Sequence, residues 1–364
     1  MKLAKIILSI LVTMSFQTNA QVILDIQTEL NTTISEVSGI IWIEGRLIGH
    51  NDSGDDANLY EIDPVSGEVI RTVMVENATN IDWEDITYDE DYIYIADFGN
   101  NDGNRTNLMI YKISKSDFLS MPTVIADTIK FNYAEQIDFS PGPYSTNFDA
   151  ESIISLDDSL YIFTKNWGDF KSNIYALSKS PGDYTISRKD SLDPNCMITG
   201  ATYSAVANEI YLCGYDVRDP YIYYITGFSG DHFSEATTKR RFEASVLGSI
   251  QIEGIEYIDE YFYLAAEARG GSKAALYMGI INFLDNDKSD DQEVLRLFPN
   301  PTTGSIHIPY PTDTKCIIYD LSGSIVLSTN KKHISLSHLK KGLYITEVRN
   351  ADNELILTQQ IVKN

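Results

Sequence analysis

Ser38, Glu84, Glu151, Thr199 and Glu253 each lead a short segment that recurs in one register: Ser38-Gly39-Ile40, Glu84-Asp85-Ile86, Glu151-Ser152-Ile153, Thr199-Gly200-Ala201 and Glu253-Gly254-Ile255. If the fold gathers these five at one point, three carboxylates and two hydroxyls face one another. At roughly 6 Å each carboxylate pair repels by about 3 kcal/mol at an effective dielectric near 20. Such a set needs a bound cation, raised pKa values or local counter-charges. Oxygen-only ligands select calcium or magnesium over zinc, and a roomy ring with waters suits the larger ligand number of calcium. The expected cofactor is therefore calcium, held by Ser38, Glu84, Glu151, Thr199 and Glu253.

A second tier follows at the ends of the next strands: Asn51, Asp52, Asp97, Lys165, Tyr215 and Glu267, with Arg105, Trp167 and Arg269 in loops beyond. A metal facing these groups could polarise a phosphoryl or acyl oxygen and activate water. Asp52 or Asp97 would then serve as base, with Lys165, Arg105 or Arg269 holding an anionic substrate. Asn51, Tyr215, Glu267 and Arg269 would line the channel mouth. The competing reading for each is solvated loop chemistry or an ion pair within one repeat, and the hairpin register sets Lys165 opposite Glu151. Two functions stay open: a calcium-dependent phosphoester or lactone hydrolase, and a non-catalytic surface propeller that binds a small molecule, a glycan or a protein. A third possibility has no metal, the Glu side chains being held by backbone amides. Asp97 to Gly103 lacks the glycine placement of an EF-hand, and the five histidines have no zinc spacing. No nucleophile elbow, phosphate loop or basic patch for nucleic acid is present.

The elements that would position these residues are short strands. Each lead residue opens a strand, a turn and a second alternating strand, as in Tyr92-Ile93-Tyr94-Ile95 and Tyr261-Phe262-Tyr263-Leu264. The intervals between lead residues are 84−38=46, 151−84=67, 199−151=48 and 253−199=54, each long enough for four strands. Repeats of this size indicate a propeller or solenoid. The fifth repeat is one strand short, and Val22 to Ile26 has no other partner, so that segment is expected to complete the last blade and remove an exposed edge. The prediction is all-β: a five-bladed β-propeller over residues 21–284, or six-bladed if the long second interval hides an irregular blade between Phe118 and Asn147.

An acidic polar linker, 285–296, leads to residues 297–364, where alternating strands are punctuated by Pro299-Asn300-Pro301, Ser322-Gly323 and Lys341-Gly342. This is the pattern of a small antiparallel β-sandwich. The Pro-Asn-Pro-Thr-Thr-Gly start, the Asp320-Leu321-Ser322-Gly323 hairpin, the Lys341-Gly342-Leu343-Tyr344 strand and the basic end resemble the C-terminal sorting domain of type IX secretion cargo. The resemblance implies the type IX machinery as a partner and a secreted or cell-surface protein.

The central ring is also similar to one other family. Calcium-activated nucleotidases, the apyrase-type five-bladed propellers, set Ser, Glu, Glu, Ser, Glu at the heads of successive inner strands around a calcium. Here Thr199 replaces the second Ser. The resemblance is confined to the ring and the blade count, and it implies the calcium more than the nucleotidase activity.

Charge and the N-terminus agree with export. The formal net charge is −24, and from Asp290 onward eight acidic residues balance eight basic ones, so the acidity belongs to the first part. That field repels nucleic acid and anionic membrane and favours cations or simply solubility. Lys2 and Lys5, the apolar run Ile6 to Phe16 and Thr18-Asn19-Ala20 have the layout of a signal peptide over residues 1–20, with no transmembrane segment in the mature chain. Cys196, Cys213 and Cys316 are too few for a disulfide framework and read as buried thiols.

Overall fold

Strict alternation makes each strand two-faced, so that buried residues of one sheet can pack on the next. The computed structural model describes residues 21–216, 219–244, 250–258, 261–269, 271–282, 297, 300, 302, 304–308, 314–351 and 353–363. The proposed signal peptide and linker lie outside these residues. The described chain is all-β apart from the helix Lys115–Ser120 and two short 3-10 turns. The helix starts where Ser114 Oγ accepts the N–H of Asp117.

Among the described residues, 21–282 form five sheets. The first runs Val37–Ile43, Arg46–Asn51, Asn58–Ile62, Val69–Val75, with Thr123–Val124 added in parallel. Its leading hairpin turns through Glu44 and Gly45, both at positive φ, the twist that a two-residue turn between strands requires. The second sheet runs Trp83–Tyr88, Tyr92–Asp97, Met109–Ser114, Asp127–Tyr133, Gly182–Ile186. The third is Ala150–Leu156, Ser159–Thr164, Ser172–Ser178, Arg188–Leu192, and the fourth Met197–Ser204, Glu209–Tyr215, Pro220–Thr226, Thr238–Glu243. The fifth is Ile252–Ile258, Tyr261–Ala266, Ala275–Asn282, and its outer position is taken by Gln21–Glu29, as anticipated.

The first strands of successive sheets lie against one another, and Ile252–Ile258 of the fifth lies against Val37–Ile43 of the first. Five apolar clusters fill the spaces between neighbouring sheets. Ile41, Leu59 and Trp83 belong to the first and second, Phe131 and Ile153 to the second and third, Phe163 and Leu212 to the third and fourth, Tyr211 and Phe262 to the fourth and fifth. Tyr60 and Leu276 join the fifth to the first. Val22 and Leu24 are buried in the cluster between the fourth and fifth sheets, where each stabilises the fold by about 1.5–3 kcal/mol.

The outer edge of the third sheet is divided: Gly182–Ile186 crosses to pair in parallel with Asp127–Tyr133, and Arg188–Leu192 stays with the third sheet. Tyr184 and Ile186 pack there against Phe131 and Tyr133, apolar surface that would otherwise face water. The long second interval holds the helix, the Thr123–Val124 extension and the loop 134–149, with no sixth sheet among the described residues.

In the C-terminal part, a four-stranded antiparallel sheet of Ile325–Thr329, Lys315–Tyr319, Gly342–Arg349 and Leu355–Lys363 shares one core with the pair Ser305–His307 and His333–Ser335. All three cysteines are free and buried, and no described helix is long and apolar enough to cross a membrane.

Candidate functional site

Each of the five lead residues is an unpaired residue in its hairpin. The ladder steps from Trp83↔Asp97 to Asp85↔Ala96, skipping Glu84, and likewise skips Glu151, Thr199 and Glu253; in the first sheet it skips Ser38 and Gly39. A bulge of this kind re-aims a side chain off the normal alternation. The residue before each, Val37, Trp83, Ala150, Ile198 and Ile252, is fully buried between sheets. Ser38, Glu84, Glu151 and Glu253 line one cavity of about 480 Å³, together with Asp52, Lys165, Tyr215, Glu267 and Arg269. Thr199 is buried but does not line it.

The two hydroxyls are directed at backbone. Ser38 Oγ donates to the carbonyl of Glu84, and Thr199 Oγ1 donates to that of Ile252 at 2.6 Å. Both bonds link neighbouring sheets. Glu151 accepts a 3.0 Å bond from Lys165 Nζ, a pair buried on both sides. Burial alone would lower the Lys165 pKa, but Glu151, Tyr215, Glu253 and Asp149 raise it well above the usual value, so the ammonium is a fixed charge in the ring. Glu253 accepts from Gln251 Nε2 at 2.5 Å and is pushed up to about 7, first by burial.

Glu84 stands differently. It is only 5% exposed, and among the described residues its carboxylate takes no hydrogen bond and no ion pair. Its oxygens come within 4.8 Å of those of Asp52 and Asp82. Burial, then the charges of Glu151, Asp52 and Asp82, hold Glu84 well above the ordinary carboxylate range. Asp52 is pushed up to about 6 by burial and by Glu253, and Asp82 to about 7 by burial and by Asp52. Asp52 Oδ1 is buried with no hydrogen-bond partner. Gly99 passes against the cluster so closely that a Cβ there would lie 2.1 Å from Glu84 Oε1 and 2.4 Å from Asp82 Oδ2. The arrangement concentrates negative charge, with only the Arg105 guanidinium, 4.0 Å from Asp82, to offset it among the described residues, and leaves Asp52 Oδ1 without a partner. Asp52, Asp82 and Glu84 offer oxygen donors only, the ligand type that hard divalent cations take.

Other candidates are engaged elsewhere. Asp97 is fully buried and bonds Arg105 at 2.8 Å, while Arg105 also donates to the carbonyl of Gly99 and lies 4.0 Å from Asp82. Neither lines the cavity. Asn51 is likewise absent from the cavity, its side chain bonding Thr33, Asp55 and Glu36. Tyr215, Glu267 and Arg269 do line it, with Arg269 donating to Gln251 Oε1 at 2.5 Å. The ladder pairs Tyr215 with Met197, not Thr199, and Thr164 with Ala150, so Lys165 reaches Glu151 diagonally.

Reading only the lead residues overlooks Asp82, Asp149 and Tyr144. Asp82 and Asp149 each precede a lead residue by two, and the same offset gives Glu36 before Ser38 and Gln251 before Glu253. Period-two alternation places such pairs on one face, so the signal was present. Tyr144 sits in an irregular loop and has no such signal.

The C-terminal strands and their turn residues agree with the comparison to known families. Residues 296–364 match the secretion system C-terminal sorting domain. This tail implies an exported cargo protein. No curated protein matches the chain. Among solved structures, PorZ, a bacterial surface component of the type IX secretion system of Porphyromonas gingivalis, is similar over 90% of this chain at 10% identity and TM-score 0.34; this chain spans 45% of it. A Thermus thermophilus oxidoreductase of the glucose dehydrogenase type aligns with 71% of this chain and 100% of its own at 8% identity and TM-score 0.37. An extracellular domain of a hybrid two-component system from B. thetaiotaomicron aligns with 93% of this chain and 59% of its own at 11% identity and TM-score 0.33.

Proposed function

We infer that residues 21–282 form a closed five-bladed propeller whose acidic cavity binds calcium and recognises a ligand outside the cell. The ring of contacts among the five first strands and the strand exchange by Gln21–Glu29 support closure. The observation that carries the cation site is Glu84, a carboxylate buried without a partner beside Asp52 and Asp82. A bound calcium would supply fixed positive charge and open positions for oxygen ligands. Lys165 already neutralises Glu151, which leaves the opposite carboxylates for the ion.

Recognition is favoured over hydrolysis by the state of the groups a hydrolase would use. Asp97 is tied to Arg105 and Lys165 to Glu151, while Asp52, the other candidate base, stands beside Asp82 and Glu84 as a ligand for the cation, and Arg269 is bound to Gln251. The deciding experiment is calcium titration of the purified chain by calorimetry, with thermal melts in calcium, magnesium and EDTA. One site per chain and a rise in Tm with calcium are expected; superimposable melts in calcium and EDTA would sink the reading.

A further inference from the structure

We propose that the ligand of this cavity is a neutral saccharide, stacked on Trp167 and Tyr144 with hydroxyls directed at the calcium. The inference rests on the cation site above and adds the ligand class. Three observations at the cavity rim carry it.

First, Trp167 and Tyr144 both line the cavity and meet edge to face, ring centroids 4.7 Å apart. Trp167 is fixed from behind, its Nε1 donating to Asp149 Oδ2 at 2.8 Å, while the Lys165 ammonium lies 5.0 Å from its ring centroid. A rigid indole at a wet rim is a stacking platform with little conformational freedom left to lose.

Second, Tyr144 is 64% exposed and has φ +54°, the left-handed region that a bulky residue avoids. Its N–H donates to Asn101 O at 3.0 Å, and its hydroxyl takes no hydrogen bond among the described residues. Strain that holds a large apolar ring in water is explained by a ligand that covers it.

Third, seven carboxyl side chains and two cations line the cavity, so the field rejects phosphates and other anions even with one calcium in place. A nucleotide could stack on Trp167 but would bring its phosphates into that field. A neutral sugar ring offers a C–H face for the aromatics and vicinal hydroxyls for a hard cation. The cavity of about 480 Å³ lies in the range that encloses small ligands.

The test applies the purified chain in calcium to an array of neutral and acidic oligosaccharides, with ADP and ATP titrated separately by calorimetry. Neutral glycans should be retained, and retention should fall at least tenfold in EDTA and in Trp167→Ala. Tyr144→Ala, at an exposed position, should show the same loss without unfolding. The calcium-induced rise in Tm should be kept in both variants, which reports fold and cation site independently. A normal calcium shift with no glycan retained overturns this inference alone. Retention that survives EDTA or Trp167→Ala, or tighter binding of nucleotides or acidic glycans, also overturns it. An absent calcium shift overturns the cation site beneath it.

Discussion

Asp85 Oδ2 accepts the backbone N–H of Ala201 at 3.2 Å, so a carboxylate from the second sheet holds the first strand of the fourth. The same oxygen accepts the N–H of Ile153 in the third sheet at 2.9 Å, and Oδ1 takes Ile86 of its own strand. Asp85 is fully buried, and burial raises its pKa despite the three donors. A buried donor left unsatisfied costs about 1–3 kcal/mol, so Asp85→Ala strands two amides of other sheets and should cost several kcal/mol. Thermal melts of Asp85→Ala and Asp85→Asn check this. Asn keeps one acceptor and should lie between; an Ala variant with the parental Tm would refute the tie.

Glu84→Gln and Asp82→Asn should each abolish the calcium-induced rise in Tm, and Glu84→Gln should leave the melt in EDTA equal or higher, because it removes repulsion as well as a ligand. At a calcium concentration near 100 times Kd the unaltered chain should gain about 2.7 kcal/mol, which corresponds to roughly 5–10 °C for a domain of this size. Glu151→Gln should instead destabilise in both conditions, since it leaves the Lys165 ammonium buried without its carboxylate.

Gly99→Ala tests the close approach of backbone to the carboxylates. A methyl group at Gly99 would overlap Glu84 Oε1 and Asp82 Oδ2, so at least a tenfold loss of calcium affinity is expected, measured by calorimetry. Affinity equal to that of the unaltered chain would place the ion elsewhere.

Stability without calcium should fall as pH rises. Asp52 at about 6, and Asp82 and Glu253 at about 7, all lie above their unfolded values. A raised carboxyl pKa means the folded state holds the proton more tightly, so its contribution is full below about pH 4 and is lost as pH passes through 6 to 7. His50, lowered to about 4 by burial, gives the opposite slope between pH 4 and its unfolded value of 6.5. The decline in Tm in EDTA is therefore clearest from pH 6.5 to 7.5. Calcium, which selects the ionised carboxylates, should flatten it, and identical slopes with and without calcium would contradict the site.

Much of the fold was legible because its rules are local. Alternation fixed the strands, and the unpartnered Val22 to Ile26 pointed to the sheet left short. The sorting region was read from turn residues such as Ser322-Gly323, which act within a few positions. What escaped depends on contacts between distant segments. Nothing near Gly182 indicates that its strand leaves the third sheet, because the cause is Phe131 and Tyr133 some fifty residues earlier. The lead residues were found by their repetition, but the bulge that lifts Glu84 beside Asp52 and Asp82 is a property of hairpin pairing. Lys165 was expected near Glu151, and the buried pair bears that out; what it means for the ring, one position filled from within, required the geometry.

The pairing of Gln21–Glu29 with Ala275–Asn282 also sets an order of events. The first described strand has its partner in the last strand of the fifth sheet, so the sheet cannot complete until residue 282 has been made. Until then Val22 and Leu24 lack their pocket and the fifth sheet keeps a bare edge. Contacts this distant in sequence form slowly, so closure of the fifth sheet by the first described strand is a late step of folding, and whatever seals the ring does so last.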